Sequence, residues 1–205
     1  MFTLKNDSLY VSVLDPVADR GRLGSRYCTG CYIWQVTDMR LGELLSGPAY
    51  PDPAPPVFDG QGAPDAFERA LGHESARVGD EVLVIGVGKV LRSSGITPFH
   101  SRHNPQVTCF CEWNIIQGSD SITMRTSQEF GEWSFNIIRS LILKDRILRL
   151  VSMIESSGNT EIPIRWFAHP FFPHTESMRC CSFSLPVKLP GNPGFMLDSE
   201  GFVNT

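Results

Sequence analysis

Short runs of alternating apolar and polar residues, separated by turn-rich breaks, are the feature that most limits what this 205-residue chain can fold into. Such alternation marks strands with one buried side, as in antiparallel sheets. The cleanest stripe places five apolar side chains on one face: Trp133, Phe135, Ile137, Leu141 and Leu143. A second stripe does the same: Val107, Cys109, Cys111, Trp113 and Ile115. We therefore predict an all-β fold, either a sandwich or a barrel.

The predicted strands are short and numerous. They include Leu9–Leu14, Tyr32–Thr37, Glu81–Val87, Val107–Ile116, Ser121–Thr126, Trp133–Leu143, Ile147–Ile154 and Ile162–Ala168. One short helix is predicted over Pro64–Leu71, because proline suits a first helical turn and Gly72 follows the end. The Pro-rich stretch from Gly47 to Pro56 cannot be a central strand, since proline has no N–H for a ladder. We interpret it as a surface excursion inside a single domain, residues 1–205.

The charge balance excludes several classes of partner. A net charge of -4 and a pI near 5.7 give no electrostatic reason to expect nucleic acid or an anionic membrane. No apolar run approaches the roughly 20 residues needed to span a bilayer. The start of the chain lacks the apolar segment of a secretory signal. We expect a cytoplasmic protein.

The six cysteines are predicted to be mostly buried thiols. Cys28 and Cys31 have the spacing of a redox or zinc half-site, but the sequence contains no second pair of cysteines with that spacing. Cys109 and Cys111 alternate on a predicted strand and so share a face. The adjacent residues Cys180 and Cys181 have poor geometry for a mutual disulfide. Metal or redox chemistry at Cys28 and Cys31 remains an alternative.

One charged residue interrupts the longest apolar stripe. Arg139 falls between Ile137 and Leu141, in the register of the buried face. A guanidinium there needs an internal partner or must reach the sheet edge. We favour an internal ion pair or a strand-end position, and a contact to a sugar or anion is the alternative.

Four segments, in order along the chain, resemble one family. They are Asp19–Ile33 with its Gly-x-Arg-Tyr element, the glycine-rich loop Gly60–Glu68, the Gly-Val-Gly element at Gly86–Gly88, and Trp166–Phe172 with its His-Pro-Phe-Phe ending. Together they are similar to the aldose 1-epimerase, or galactose mutarotase-like, superfamily and to a bacterial subgroup of it. The resemblance implies an antiparallel β-supersandwich, incomplete at its C-terminal part.

The resemblance also implies an activity, the interconversion of the anomers of a hexose or hexose phosphate without cofactor or metal. An acid protonates the ring oxygen while a base takes the proton of the C1 hydroxyl, and the opened ring recloses as the other anomer. His169 matches the position of the family's general acid, and histidine suits proton transfer near neutral pH. The alternative for His169 is a strand-end histidine hydrogen-bonded to backbone.

Four further residues are candidates for substrate binding. Arg92 follows the Gly-Val-Gly element, near where related sugar-phosphate epimerases carry a ligand-binding arginine. Gln61 and Glu68 border the glycine-rich loop and could bind a hydroxyl or cap the predicted helix. Arg102 lies in the donor-rich turn His100–His103, which is an exposed loop or a sugar or metal contact.

The chain departs from the family in one respect that bears on catalysis. The family's general base is a glutamate on a strand well after the histidine, whereas here only Glu176 and Glu200 follow His169, neither in a β-pattern. We therefore expect weak or no anomerase activity. Two alternatives are a carbohydrate-binding sandwich without catalysis and a protein that is stable only as a homo-oligomer.

Overall fold

The computed structural model describes residues 1–47, 60–173, 176–177, 179–188, 191, 194 and 196–204. These residues form antiparallel strands and two 3-10 turns, Arg20–Arg22 and Ser101–His103, and none of them lies in an α-helix. The all-β prediction is confirmed. The chain divides into two compact units, residues 1–171 and 172–205. The expectation of a single domain stays a prediction.

The first sheet has the order β1-β2-β3-β4. Its strands are β1 (Phe2–Lys5), β2 (Leu9–Val13), β3 (Ile33–Asp38) and β4 (Gly42–Glu43). β2 and β3 confirm two predicted strands to within a residue at each end. The loop between them carries the first 3-10 turn and residues 23–32, most of which are buried.

The second sheet is the longest and has the order β12-β11-β10-β9. Its strands are β9 (Asn114–Gln117), β10 (Ser121–Phe130), β11 (Trp133–Lys144) and β12 (Ile147–Ser156). Odd-numbered residues of β11 are buried from Phe135 to Leu143, as the stripe predicts, and Arg139 is buried among them. The predicted strand Val107–Ile116 is wrong as one element, because Cys111–Trp113 interrupt it and its halves join different sheets.

A third sheet contains β6 (Glu81–Val84), β7 (Gly88–Leu91) and β8 (Val107–Phe110) in that order. The predicted strand Glu81–Val87 ends three residues early, because residues 85–87 form the turn to β7. Gly86 has φ +73 there, and the apolar residues Ile85 and Val87 are fully buried. A buried turn therefore has the apolar sequence of a strand. On β8, Cys109 is exposed rather than buried.

Two three-residue strands, β5 (Asp65–Phe67) and β13 (Trp166–Ala168), pair with each other. The predicted helix Pro64–Leu71 is wrong. All three β5 residues are buried, and their partners lie about 100 residues away in the sequence, so tertiary pairing decides the conformation. The predicted strand Ile162–Ala168 forms only from Trp166 onward. The predicted excursion Gly47–Pro56 lies outside the described residues, apart from Gly47.

The main core lies between the first two sheets. Inward side chains of β1, β2 and β3 pack in one cluster with those of β10 and β11, among them Val11, Met124, Phe135 and Ile137. The arrangement is that of two antiparallel sheets packed face to face, a β-sandwich. The sandwich explains why period-2 alternation is so clean in the central strands.

The second unit contains β14 (Arg179–Ser182), β15 (Met196–Leu197) and β16 (Phe202–Asn204), in the sheet order β14-β16-β15. Arg179 pairs with Asp198 at 2.7 Å and with Glu200 at 2.8 Å. A search of the described residues for a helix able to cross a membrane gives none.

Candidate functional site

His169 directly follows β13, and the backbone fixes its position. Its N–H donates to the Pro64 carbonyl at 2.8 Å, and the N–H of Phe171 donates to the Gly62 carbonyl at 2.8 Å. The pairing of β13 with β5 thus continues past the strand. Because side chains alternate along an extended chain, Phe167, His169 and Phe171 share one face, while Trp166 and Ala168 occupy the other.

Aromatic rings surround the half-buried His169. Its imidazole stacks on Phe171 with the ring centroids 4.5 Å apart and the planes at 21°. The centroid of Phe167 is 5.5 Å away, and that of Tyr27 is 5.8 Å away in an edge-to-face arrangement. The rings fix the orientation of the imidazole, which a proton-transfer or hydrogen-bonding role requires.

Arg26 completes the immediate surroundings of His169. Its Nη2 lies 3.4 Å from His169 Nε2, and its guanidinium carbon lies 5.1 Å above the centre of the Tyr27 ring. A guanidinium only donates hydrogen bonds, so Nε2 can take part in this contact only as the acceptor. The arrangement therefore holds an imidazole beside a fixed positive charge.

The rings continue away from His169. Tyr27 meets Tyr32 at 5.9 Å between centroids, Tyr32 meets Trp34 at 6.3 Å, and the Arg22 guanidinium lies 5.6 Å over Trp34. These contacts, together with those of Gln61, join a set that we call the arginine–histidine cluster: Arg22, Arg26, Tyr27, Tyr32, Trp34, Gln61, Phe167, His169 and Phe171. Aromatic rings pack against the apolar face of a sugar. Guanidinium groups bind its hydroxyl or phosphate groups.

Gln61, a predicted binding residue, belongs to this cluster. Its carbonyl accepts a hydrogen bond from the Tyr32 hydroxyl at 2.9 Å, and its side-chain Nε2 lies 3.4 Å from the Trp34 carbonyl. Gln61 and His169 were candidates from the sequence, whereas Arg26, which lies beside His169, was not. The signal was present, since Arg26 and Tyr27 form the Arg-Tyr step of the first motif.

Arg92 and Glu68 are held by other groups. Arg92 is buried, and its Nη1 donates to the carbonyls of His73 at 2.8 Å and Ala76 at 2.7 Å, so it organises the loop before β6. Glu68 pairs with Arg165 at 2.8 Å. The Glu68–Arg165 pair borders a cleft of about 480 Å³ that His73 and His100 also line.

Arg102 is exposed on the second 3-10 turn. Its backbone N–H donates to His100 Nδ1 at 3.0 Å. The preceding carbonyl, that of Ser101, accepts from the Ser25 hydroxyl at 3.1 Å. The turn therefore packs against Ser25, the residue before Arg26. The four predicted binding residues do not meet at one site.

A larger cleft of about 600 Å³ lies on the opposite face of β5 and β13. Apolar side chains line most of it, including Leu150, Ile154 and Trp166, and Asp65 is its acidic residue. Asp65 forms an ion pair with Arg139, both of them buried. The internal ion pair predicted for Arg139 is confirmed. Nε and Nη1 of Arg139 find no hydrogen-bond partner among the described residues.

Three cysteines of the first unit are unreactive because they are wholly or partly buried. Burial raises the pKa of both Cys31 and Cys111 to about 12, and it raises the pKa of Cys28 as well. A thiol with a raised pKa is neutral at physiological pH and is a poor nucleophile and metal ligand. Within the described ranges, no group of three His, Cys, Asp or Glu side chains is placed to hold a metal ion.

Comparison with known proteins identifies no relative. No protein-family model matches the chain, and no curated protein and no solved structure matches it either. The resemblance to aldose 1-epimerases therefore rests on the sequence motifs.

Proposed function

We propose that this chain binds a hexose or hexose phosphate at the arginine–histidine cluster and interconverts its anomers, as an aldose 1-epimerase does. The contact of Arg26 with His169 inside a set of aromatic rings carries the proposal. Rings bind the apolar face of a pyranose, and an arginine binds a hydroxyl or phosphate group. In the reaction His169 gives a proton to the ring oxygen while solvent water takes the proton of the C1 hydroxyl, and both transfers reverse when the ring recloses, so the sugar's composition is unchanged.

A second candidate function is sugar binding without catalysis. Among the described residues, the paired strands β5 and β13 and the residues directly flanking them contain two carboxylates, Asp65 and Glu68. Each is already engaged by an arginine, Asp65 by Arg139 and Glu68 by Arg165. This favours a binding protein, because ring opening also needs a base at the C1 hydroxyl.

Polarimetry of freshly dissolved α-glucose and α-galactose, with calorimetric titration of the sugars and their 6-phosphates, tests both functions. We expect His169→Gln to lower the mutarotation rate by roughly 10²–10⁴-fold while the sugar still binds. His103→Gln, an exposed histidine outside the cluster, should leave the rate unchanged. Binding without any rate above buffer would favour the second function, and no binding of any sugar would contradict both.

Arg26→Met separates the role of the guanidinium from that of the imidazole. If Arg26 binds a phosphate, the variant loses affinity for the sugar phosphate and keeps its affinity for the free sugar.

We also place the protein in the cytoplasm. The thiol state of Cys28, Cys31, Cys109 and Cys111 supports this, because disulfides are rare in that compartment.

A further inference from the structure

The strand β12 is a long, open edge of the second sheet. It pairs with β11 over all ten of its residues, and among the described residues no strand pairs with its other side. Three large apolar side chains on it are strongly exposed: Ile147 at 66%, Val151 at 43% and Met153 at 51%. An unpaired edge of this length presents a row of backbone donors and acceptors to another strand.

Most of the protections that edge strands usually carry are absent from β12. Proteins blunt an edge with a short strand, a proline, a lysine or a bulge. The edge strands β1 and β9 are four residues long, whereas β12 has ten residues, contains neither proline nor lysine, and pairs with β11 without a register shift. Its charged residues are Arg149 and Glu155.

The sequence of β12 is complementary to itself. When two copies run antiparallel about a two-fold axis at Ser152, Arg149 lies opposite Glu155 of the second copy, and Val151 lies opposite its Met153. On the other face, Leu150 lies opposite Ile154. Opposite charges and matched apolar side chains across antiparallel strands are stabilising. A two-fold axis produces each of these contacts twice.

We propose that a second copy of this chain pairs with β12 in this register, so that two four-stranded sheets become one eight-stranded sheet. The charge match at Arg149 and Glu155 selects a copy of the same chain over an unrelated strand. Because Leu150, Ser152 and Ile154 line the apolar cleft, the second copy also extends the cleft wall across the edge. The inference is independent of the proposed sugar site.

Charge reversal tests the register. In sedimentation equilibrium from millimolar to micromolar concentrations, the chain should be a dimer that dissociates on dilution. Arg149→Glu places two glutamates opposite each other at two points of the interface, and Glu155→Arg places two arginines there. Each variant should weaken the dimer about tenfold or more, and the double variant Arg149→Glu/Glu155→Arg should restore it.

The matched control is Arg125→Glu, on the exposed face of β10 in the same sheet, which should leave the dimer unchanged. Circular dichroism of each variant verifies folding before sedimentation. A monomer at every concentration would overturn the proposal. So would a dimer that both single reversals leave intact, since another surface would then hold the copies together.

A disulfide across the two-fold axis gives a second measurement. In the proposed register Ser152 faces itself, with the two Cα atoms about 4.5–5.5 Å apart, which a disulfide can bridge. Ser152→Cys, in a Cys109→Ser background that removes an exposed thiol, should form a covalent dimer under mild oxidation. The background alone and Ser140→Cys in the sheet interior should stay monomeric on a non-reducing gel. Failure of Ser152→Cys to cross-link a non-covalent dimer would exclude this register.

Discussion

At the scale of single residues, the buried pair of Arg139 and Asp65 is the clearest conflict between sequence pattern and environment. Arg139 occupies a position that the stripe reserves for an apolar side chain, and only 1% of its surface is exposed. Taking a charge out of water is costly, and its ion pair recovers part of that cost. Two of its nitrogens have no hydrogen-bond partner among the described residues, and a buried donor without a partner costs stability.

Removing one partner of this pair should destabilise the fold strongly. We expect Arg139→Met to lower the free energy of unfolding by about 3–5 kcal/mol, because it leaves the Asp65 carboxylate buried without a cation. The double variant Arg139→Met/Asp65→Leu should recover most of that loss. Urea denaturation measures both, with Arg125→Met on the exposed face as the control. A double variant no more stable than Arg139→Met would contradict this account.

At the scale of elements, Asp38 ties a turn of one sheet to a turn of the other. Its carboxylate accepts from the N–H groups of Arg40 at 2.8 Å and Leu41 at 3.1 Å at the end of β3. It also forms an ion pair with Arg146, which lies between β11 and β12. The Arg40 N–H is the largest cause that lowers the pKa of Asp38, and Arg146 lowers it further.

The lowered pKa fixes the sign of a pH effect. A carboxylate with a lower pKa in the folded state stabilises the fold above its unfolded pKa, near 4, and loses that contribution as the pH falls through the folded value. We expect Asp38→Asn to lower the urea midpoint at pH 7 and to differ little from wild type at pH 2. Asp7→Asn, in a turn of the same sheet, is the control. An equal loss at both pH values would show that the effect is not electrostatic.

At the scale of the whole molecule, the sandwich of unit 1 depends on one core shared by two sheets. All four tryptophans of the chain lie within residues 1–171, so their fluorescence reports on this unit alone. Trp113, which precedes β9, donates to the Thr29 hydroxyl at 2.8 Å, in the loop between β2 and β3. The two sheets therefore share both apolar packing and a buried hydrogen bond.

This shared core predicts cooperative unfolding. Tryptophan fluorescence and far-ultraviolet circular dichroism should give one common urea midpoint. Ile137→Ala, on the buried face of β11, should shift both midpoints together and cost about 2–5 kcal/mol. The neighbouring Ile138→Ala, on the outer face of the same strand, should cost about 1 kcal/mol or less. Two separate steps in the fluorescence transition would show that the sheets unfold independently, since Trp34 and Trp133 lie in different sheets.

The central strands of the sandwich, the buried position of Arg139 and the place of His169 at a strand end followed from the sequence itself. Alternation with period 2 is a local pattern, and one buried face is enough to produce it. A guanidinium inside an apolar stripe needs an internal partner or must reach the sheet edge, whatever the fold. Gln61 and His169 both belong to the motifs. Their positions in the sequence do not show that they lie in one cluster of the folded chain.

Tertiary structure alone decided the remaining features. Asp65–Phe67 is a strand because it pairs with Trp166–Ala168. That partner lies far along the chain, so no local signal could outweigh the helix pattern there. Residues 85–87 form a turn because that turn is buried, which makes its sequence look like a strand. The contact of Arg26 with His169 joins segments 143 residues apart. Long-range pairing and burial are properties of the folded chain, and a local sequence pattern does not contain them.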